Sequence, residues 1–206
     1  MHSSSIGEIP QDLKFGGERT KTFIGKRTRI REYVTINRGT KELGETRVGS
    51  DCLLMASTHV AHDCIVGDNV IMSNLSTLGG HVEVGDWAIL GGGVLVHQFT
   101  KIGSHVLIGG GFRAVQDVPP FILAADYPLK YNGVNLVGLK RRSFKKDEIK
   151  TLRNVYRLLF APEGTFNERL LEVSETYNKN VLVKEILSFL KENLNRPLVH
   201  PKMGKH

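Results

Sequence analysis

The chain has 206 residues, 40% of them hydrophobic and 24% charged, which fits one globular domain, or one with a small appendage. Its net charge of +7 suits acidic partners such as nucleotides, phosphates, an acidic protein or nucleic acid, and selects none of them. Two cysteines, Cys52 and Cys64, exclude a disulfide scaffold and lack metal spacing. No apolar run reaches membrane-spanning length, and "MHSSSIGEIPQ" lacks the apolar centre of a signal peptide, so a cytoplasmic protein is expected.

In chain order, Ile24, Ile30 and Ile36 set a six-residue phase that "KELGET" interrupts. From Val48 the chain divides into eleven consecutive six-residue blocks, VGSDCL through IGGGFR, each opening with Val, Leu, Ile or Met. The second position is often glycine, and the fifth is usually small or β-branched. That period matches neither a helix nor strand alternation. It predicts a mainly β protein, a parallel β-helix in which each block gives one short strand and one turn. Three blocks form a triangular coil, and successive coils stack about 4.8 Å apart. Known hexapeptide coils are left-handed, against the usual crossover preference. First residues should point inward, and positions two to four should lie at or near corners, where glycine permits unusual backbone angles.

The prolines of "QDVPPF" are expected to end the ladder. The predicted organisation is a β-helix over 1–118, a connecting loop over 119–144 and a small helical domain over 145–206. Three helical stretches follow the loop. The first spaces Ile149, Leu152, Val155, Leu158 and Leu159 on one face; the second opens on a Thr165–Glu168 capping box; the third carries Val181, Val183, Ile186, Leu187 and Leu190 as a stripe. These stripes are read as core or interface.

Stacking turns sequence offsets into neighbours. Gly80 lies one coil above His62, with His81 next to it, and His97 lies one coil above Gly79. His59, His62, His81 and His97 therefore gather on one side. A neutral His62 imidazole suits a general base near pH 7. Asp63 would point away from it on a strand, but at a turn both could face outward. Gly80 could offer a bare N–H to a developing oxyanion. An exposed corner histidine is the plainer reading of each one taken alone.

Three histidines can also hold zinc, as in trimeric β-helix carbonic anhydrases, whose repeats resemble these. Their same-chain ligands are separated by four residues, whereas His59 and His62 are separated by two, so no metal is expected. Cys52 and Cys64 read as core. Lys140, Arg141 and Arg142 form either a solvated basic turn or a phosphate site. No aromatic interleaving supports nucleic-acid binding.

"PQDLKF", "IREYVTINRGT", "HVAHDCIVGDN", "GGGVLVHQF", "IGSHVLIGGG", "DVPPF" and "GVNLVGLKRRSF" occur here in the same order as in bacterial acyl-carrier-protein–UDP-N-acetylglucosamine O-acyltransferases. The chain resembles that family over nearly its whole length. The resemblance implies transfer of an R-3-hydroxyacyl group from acyl carrier protein to the 3-hydroxyl of UDP-N-acetylglucosamine, the first step of lipid A synthesis. It implies His62 as general base, Asp63 as its assistant and the Gly80 N–H as oxyanion donor.

By the same resemblance His59, His81 and Gln98 contact sugar and phosphate, with His97 nearby. Asp12 and Lys14 stand at the acyl–sugar end, and Asn135, Arg141 and Arg142 at the nucleotide. Gly110 matches the position that helps set acyl length, where glycine favours a longer chain. The family implies a homotrimer with its site between neighbouring coils. It implies no cofactor beyond the phosphopantetheine on which the carrier protein holds the acyl group.

Two departures stand out: Val137 replaces a glutamate of some relatives, and family members usually have several more coils before "QDLK", so a coil shortened at its N-terminus is expected. Two rival readings are the N-acyltransferase of the same pathway, which usually carries an additional uridine-binding domain, and a truncated trimeric scaffold that only binds carrier protein. The 3-amino analogue of the sugar would meet the same base.

Overall fold

A computed structural model of the chain describes residues 3–192 and 196–202. It is a left-handed parallel β-helix followed by a helical region. The first face stacks β1 (Ser5–Glu8), β4 (Thr35–Asn37), β7 (His59–Val60), β10 (Thr77–Leu78), β13 (Leu95–Val96) and β16 (Arg113–Ala114). The second stacks β2 (Lys21–Ile24), β5 (Glu45–Val48), β8 (Ile65–Val66), β11 (Glu83–Val84) and β14 (Lys101–Ile102). The third stacks β3 (Arg29–Ile30), β6 (Leu53–Leu54), β9 (Ile71–Met72), β12 (Ile89–Leu90) and β15 (Leu107–Ile108). From β6 to β16 partners are offset by 18 residues, as in Thr77↔Leu95 and Ile71↔Ile89, which is three blocks per coil.

The first and fifth residues of each block build the core. Val60, Leu78, Val84, Leu90 and Ile108 are buried, as are Cys52, Cys64, Val70, Val82 and Val94. Each large aliphatic member contributes roughly 1.5–3 kcal/mol. Both cysteines are free. Burial pushes the Cys64 thiol up to about 12, which leaves it inert at neutral pH.

The expectation for glycine needs correction. The left-handed backbone sits at the fourth position of each block, and only Gly93 and Gly111 are glycines there; Asp63, His81, Trp87, Phe99 and His105 all have positive φ. Stacked neighbours force this corner, against a cost of order 1–3 kcal/mol per residue. Second-position glycines answer a different need. On the edge between the second and third faces, a Cβ on Gly49, Gly67, Gly85 or Gly103 would overlap the next coil.

The prolines do not end the coil. Beyond Pro119 and Pro120, β17 (Ile122–Ala125) adds a further parallel strand to β15, and β18 (Lys130–Val134) returns antiparallel on it. The stretch 119–144 is therefore not a plain connecting loop, since it also holds α1 (Leu136–Arg141). The prolines are accommodated because they fall in a corner rather than on a strand.

The remaining helices are α2 (Lys146–Leu159), α3 (Phe166–Thr176) and α4 (Val181–Lys191). On α2, Ile149, Leu152, Val155 and Leu159 are buried while Leu158 is only partly so. The capping box of α3 forms between Thr165 and Glu168. Val181 departs from the stripe on α4: it is 76% exposed, because it opens the helix outside the face that buries Val183, Ile186 and Leu187. Among the described residues, no helix is long and apolar enough to cross a membrane.

Candidate active site

Three edges join the faces, and the expected site residues divide among them. The first edge, between the first and second faces, carries the corners 9–20, 38–44, 61–64, 79–82, 97–100 and 115–117. It therefore holds Asp12 and Lys14, then His62 and Asp63, then Gly80 and His81, then His97 and Gln98 in ascending order. His59 stands beside it on β7.

His62 and Asp63 form the centre of this edge. The turn at 61–64 brings both side chains to one side, and His62 Nδ1 lies 2.8 Å from Asp63 Oδ2. Asp63 is 2% exposed. Its Oδ1 accepts from the Thr40 N–H at 2.9 Å and its Oδ2 from the Thr40 hydroxyl at 2.7 Å. Burial alone would raise the carboxyl, but the bonds from Thr40 and His62 outweigh it and hold Asp63 below the usual carboxylate range. An ionised Asp63 accepts the Nδ1 proton and leaves His62 Nε2 as the acceptor.

Gly80, one coil above, packs directly against that ring. A Cβ there would stand 2.7 Å from His62 Cε1 and Nε2, so only glycine allows the contact. The Gly80 carbonyl accepts from Phe99 N–H at 3.0 Å, while among the described residues no group accepts from the Gly80 N–H. An uncommitted donor thus lies beside the basic nitrogen.

His81 stacks on Phe99 with centroids 4.5 Å apart and meets the His62 ring edge-on at 5.2 Å. Its Nε2 lies 3.5 Å from Glu42 Oε2 and 3.7 Å from Asp63 Oδ2. His59 Nδ1 is 2.7 Å from the Thr35 hydroxyl; burial, then the nearby His62, lowers its pKa. One ligand atom each from His62, Asp63 and His81 lies within 4.8 Å of the others, but the His62 and Asp63 atoms are already joined by their own hydrogen bond.

Asp12 and Lys14 lie on the loop 9–20, where the Lys14 N–H donates to Asp12 Oδ1 at 3.1 Å. That loop is tied to the corner that carries Thr40 through Glu18, whose carboxylate accepts from the Lys41 N–H at 3.0 Å.

The other expected residues are elsewhere on this chain. Asn135, Arg141 and Arg142 line a groove of about 340 Å³ on the second edge, with Trp87, Val137 and the outer side chains of the third face. Asn135 caps α1 by accepting from the Gly138 N–H and donates to the His105 carbonyl at 2.9 Å. Arg142 donates to the Trp87 carbonyl at 2.8 Å and lies over its indole, 5.3 Å from the centroid. Gly110 is on the third edge, where a Cβ would come within 3.1 Å of the Gly92 carbonyl oxygen.

Sequence reasoning missed Thr40, Phe99 and Trp87. Thr40 was hidden in the interruption "RGTKELGET", where the repeat gives no register. The six-residue phase itself could have found Phe99, which is 18 residues after His81.

Residues 117–199 match a family model described as UDP N-acetylglucosamine O-acyltransferase, domain 2. Residues 45–80 match the bacterial transferase hexapeptide model of six repeats. The structure superposes on the UDP-N-acetylglucosamine O-acyltransferase of Moraxella catarrhalis with a TM-score of 0.91 at 40% identity, covering 95% of this chain and 76% of that one. For the enzyme from Bacteroides fragilis the values are 0.92, 39%, 96% and 77%. For UDP-N-acetylglucosamine acyltransferase from Arabidopsis they are 0.90, 36%, 95% and 71%. The fold, the glycine-backed histidine edge and this likeness together place the chain in the UDP-N-acetylglucosamine O-acyltransferase family.

Proposed function

We propose that the chain transfers an R-3-hydroxyacyl group from the phosphopantetheine thioester of acyl carrier protein to the 3-hydroxyl of UDP-N-acetylglucosamine, the first step of lipid A synthesis. His62 Nε2 takes the hydroxyl proton while Asp63 holds the Nδ1 proton. The oxygen attacks the thioester carbonyl, and the tetrahedral oxyanion lies on the Gly80 N–H. Collapse expels the pantetheine thiolate, which receives the proton from the His62 imidazolium. No covalent enzyme intermediate is needed, since a thiolate leaves readily. The observation that carries this reading is the His62–Asp63 contact of 2.8 Å seated on Gly80.

The working form is a homotrimer in this reading. Two observations support it. The nucleotide residues Asn135, Arg141 and Arg142, and Gly110 at the acyl end, occupy different edges from His62, so one chain cannot offer them all to one substrate. Between those two edges the third face carries an outward aliphatic column, Leu53, Ile71, Ile89 and Leu107, in direct register. A neighbour's third face laid against the catalytic edge would bury the column and complete the site. His59, His81, His97 and Gln98 then hold sugar and phosphate, with Asp12 and Lys14 below.

The test is acyl transfer from a panel of R-3-hydroxyacyl carrier proteins to UDP-N-acetylglucosamine, with His62→Ala alongside. Activity should fall at least about a thousandfold in the variant. Equal activity would remove His62 as the base. Transfer only to the 3-amino analogue would replace the acceptor and keep the base.

A further inference from the structure

Residues 196–202 return from the helices onto the upper end of the catalytic edge. The Asp117 N–H donates to the Pro197 carbonyl, and the Val199 N–H to the Asp117 carbonyl, both at 2.9 Å. The buried Asp117 carboxylate accepts from the Arg196 N–H at 3.2 Å and from the Lys101 N–H at 2.6 Å. The Arg196 backbone is thus fixed. Its guanidinium reaches over the edge, with Nε and Nη2 donating to the Gln98 carbonyl at 3.2 and 3.1 Å. Nη2 also lies 2.8 Å from His97 Nδ1.

A guanidinium has five N–H groups and no lone pair, so in this contact His97 Nδ1 is the acceptor. An imidazole that accepts at Nδ1 is neutral and carries its proton on Nε2. Nδ1 is also 3.1 Å from the Gln98 carbonyl oxygen. An Nδ1–H would donate to that carbonyl, but it would then oppose the guanidinium N–H at 2.8 Å; the shorter contact takes Nδ1 as acceptor, and Arg196 Nε and Nη2 supply the carbonyl's donors in its place. Among the described residues nothing bonds His97 Nε2.

We infer that Arg196 is a positioning residue, which holds His97 as its Nε2–H tautomer so that His97 presents a donor to a substrate oxygen on the catalytic edge. His62 is set the opposite way. Its Nδ1–H meets the Asp63 carboxylate and leaves Nε2 an acceptor. Oppositely charged partners thus give two imidazoles on one edge opposite tautomers: one is the base, the other a hydrogen-bond donor. The consequence for catalysis rests on the proposed transferase reading; the tautomer does not.

The first measurement is long-range 1H–15N correlation on the full chain labelled with 15N-histidine, with the His97 signals assigned through His97→Asn. The expected result is an unprotonated Nδ1 and a protonated Nε2, shifted toward a tautomer mixture in Arg196→Met. A protonated Nδ1 in the unaltered chain overturns the inference. In kinetics, Arg196→Met should raise KM for UDP-N-acetylglucosamine about tenfold with kcat within about threefold, and Arg196→Lys should recover part of the loss. In a His97→Asn background Arg196→Met should add nothing, and full additivity would overturn action through His97. If the unaltered chain transfers no acyl group, the proposed function fails while the spectra still decide the tautomer.

Discussion

At the scale of the residue, the working unit is larger than a histidine and an aspartate. Asp63 alone would be an unfavourable buried carboxylate. Thr40 supplies two of its hydrogen bonds, at 2.9 and 2.7 Å, and His62 the third. Thr40→Val keeps the shape and the backbone bond but removes the hydroxyl donor. It should lower kcat about tenfold with KM for both substrates little changed, because only the orientation and charge of the dyad are affected. Steady-state kinetics at saturating carrier protein would check this, and an unchanged kcat would return Thr40 to a packing role. The His62–Gly80 pairing was legible from the block spacing, since an 18-residue offset places one over the other. Thr40 was not, because it reaches Asp63 from an interruption with no register.

At the scale of the element, the second edge is a stack of left-handed corners that bears a charge-sensitive cluster. Trp87, His105 and Phe121 stack there, and Phe144 meets the His105 ring edge-on. Burial, then the Arg142 guanidinium, pushes His105 down to about 4. In the unfolded chain the ring takes up a proton below about 6.5. The folded state is therefore fully favoured above that value and loses stability as pH falls from about 6.5 to about 4. Denaturant unfolding across that window should show the slope, and His105→Gln should flatten much of it. His59 and His200 contribute to the slope with the same sign. Helices α2 to α4 were readable from apolar spacing and caps. The hairpin of β17 and β18 was not, because the six-residue phase stops before Pro119 and only contact with β15 makes Ile122–Ala125 a strand.

At the scale of the whole molecule, the proposed assembly makes a sharp demand. Ile89 lies in the centre of the outward column on the third face, between Ile71 and Leu107 in register. Ile89→Glu changes no residue of the edge that carries His62, although Ile89 also lines the groove beside Arg141 and Arg142. It should nonetheless convert a trimer to a monomer by light scattering and reduce transfer at least about a hundredfold, since a buried unpaired charge at an interface costs several kcal/mol. A monomeric variant with full activity would show that one chain holds a complete site.

By itself the sequence determined the repeat, the inward aliphatic stack and the vertical neighbours of His62, because a period of six with a fixed rise converts position in the chain directly into position in space. It also carried the family motifs. Only the tertiary structure decided which edge each motif occupies, that Thr40 and Arg196 reach the edge of His62 and His97, and that Asn135, Arg141 and Arg142 stand on another edge. Those facts depend on corners, interruptions and a returning terminus, where the periodic constraint lapses and long-range hydrogen bonds fix the chain instead.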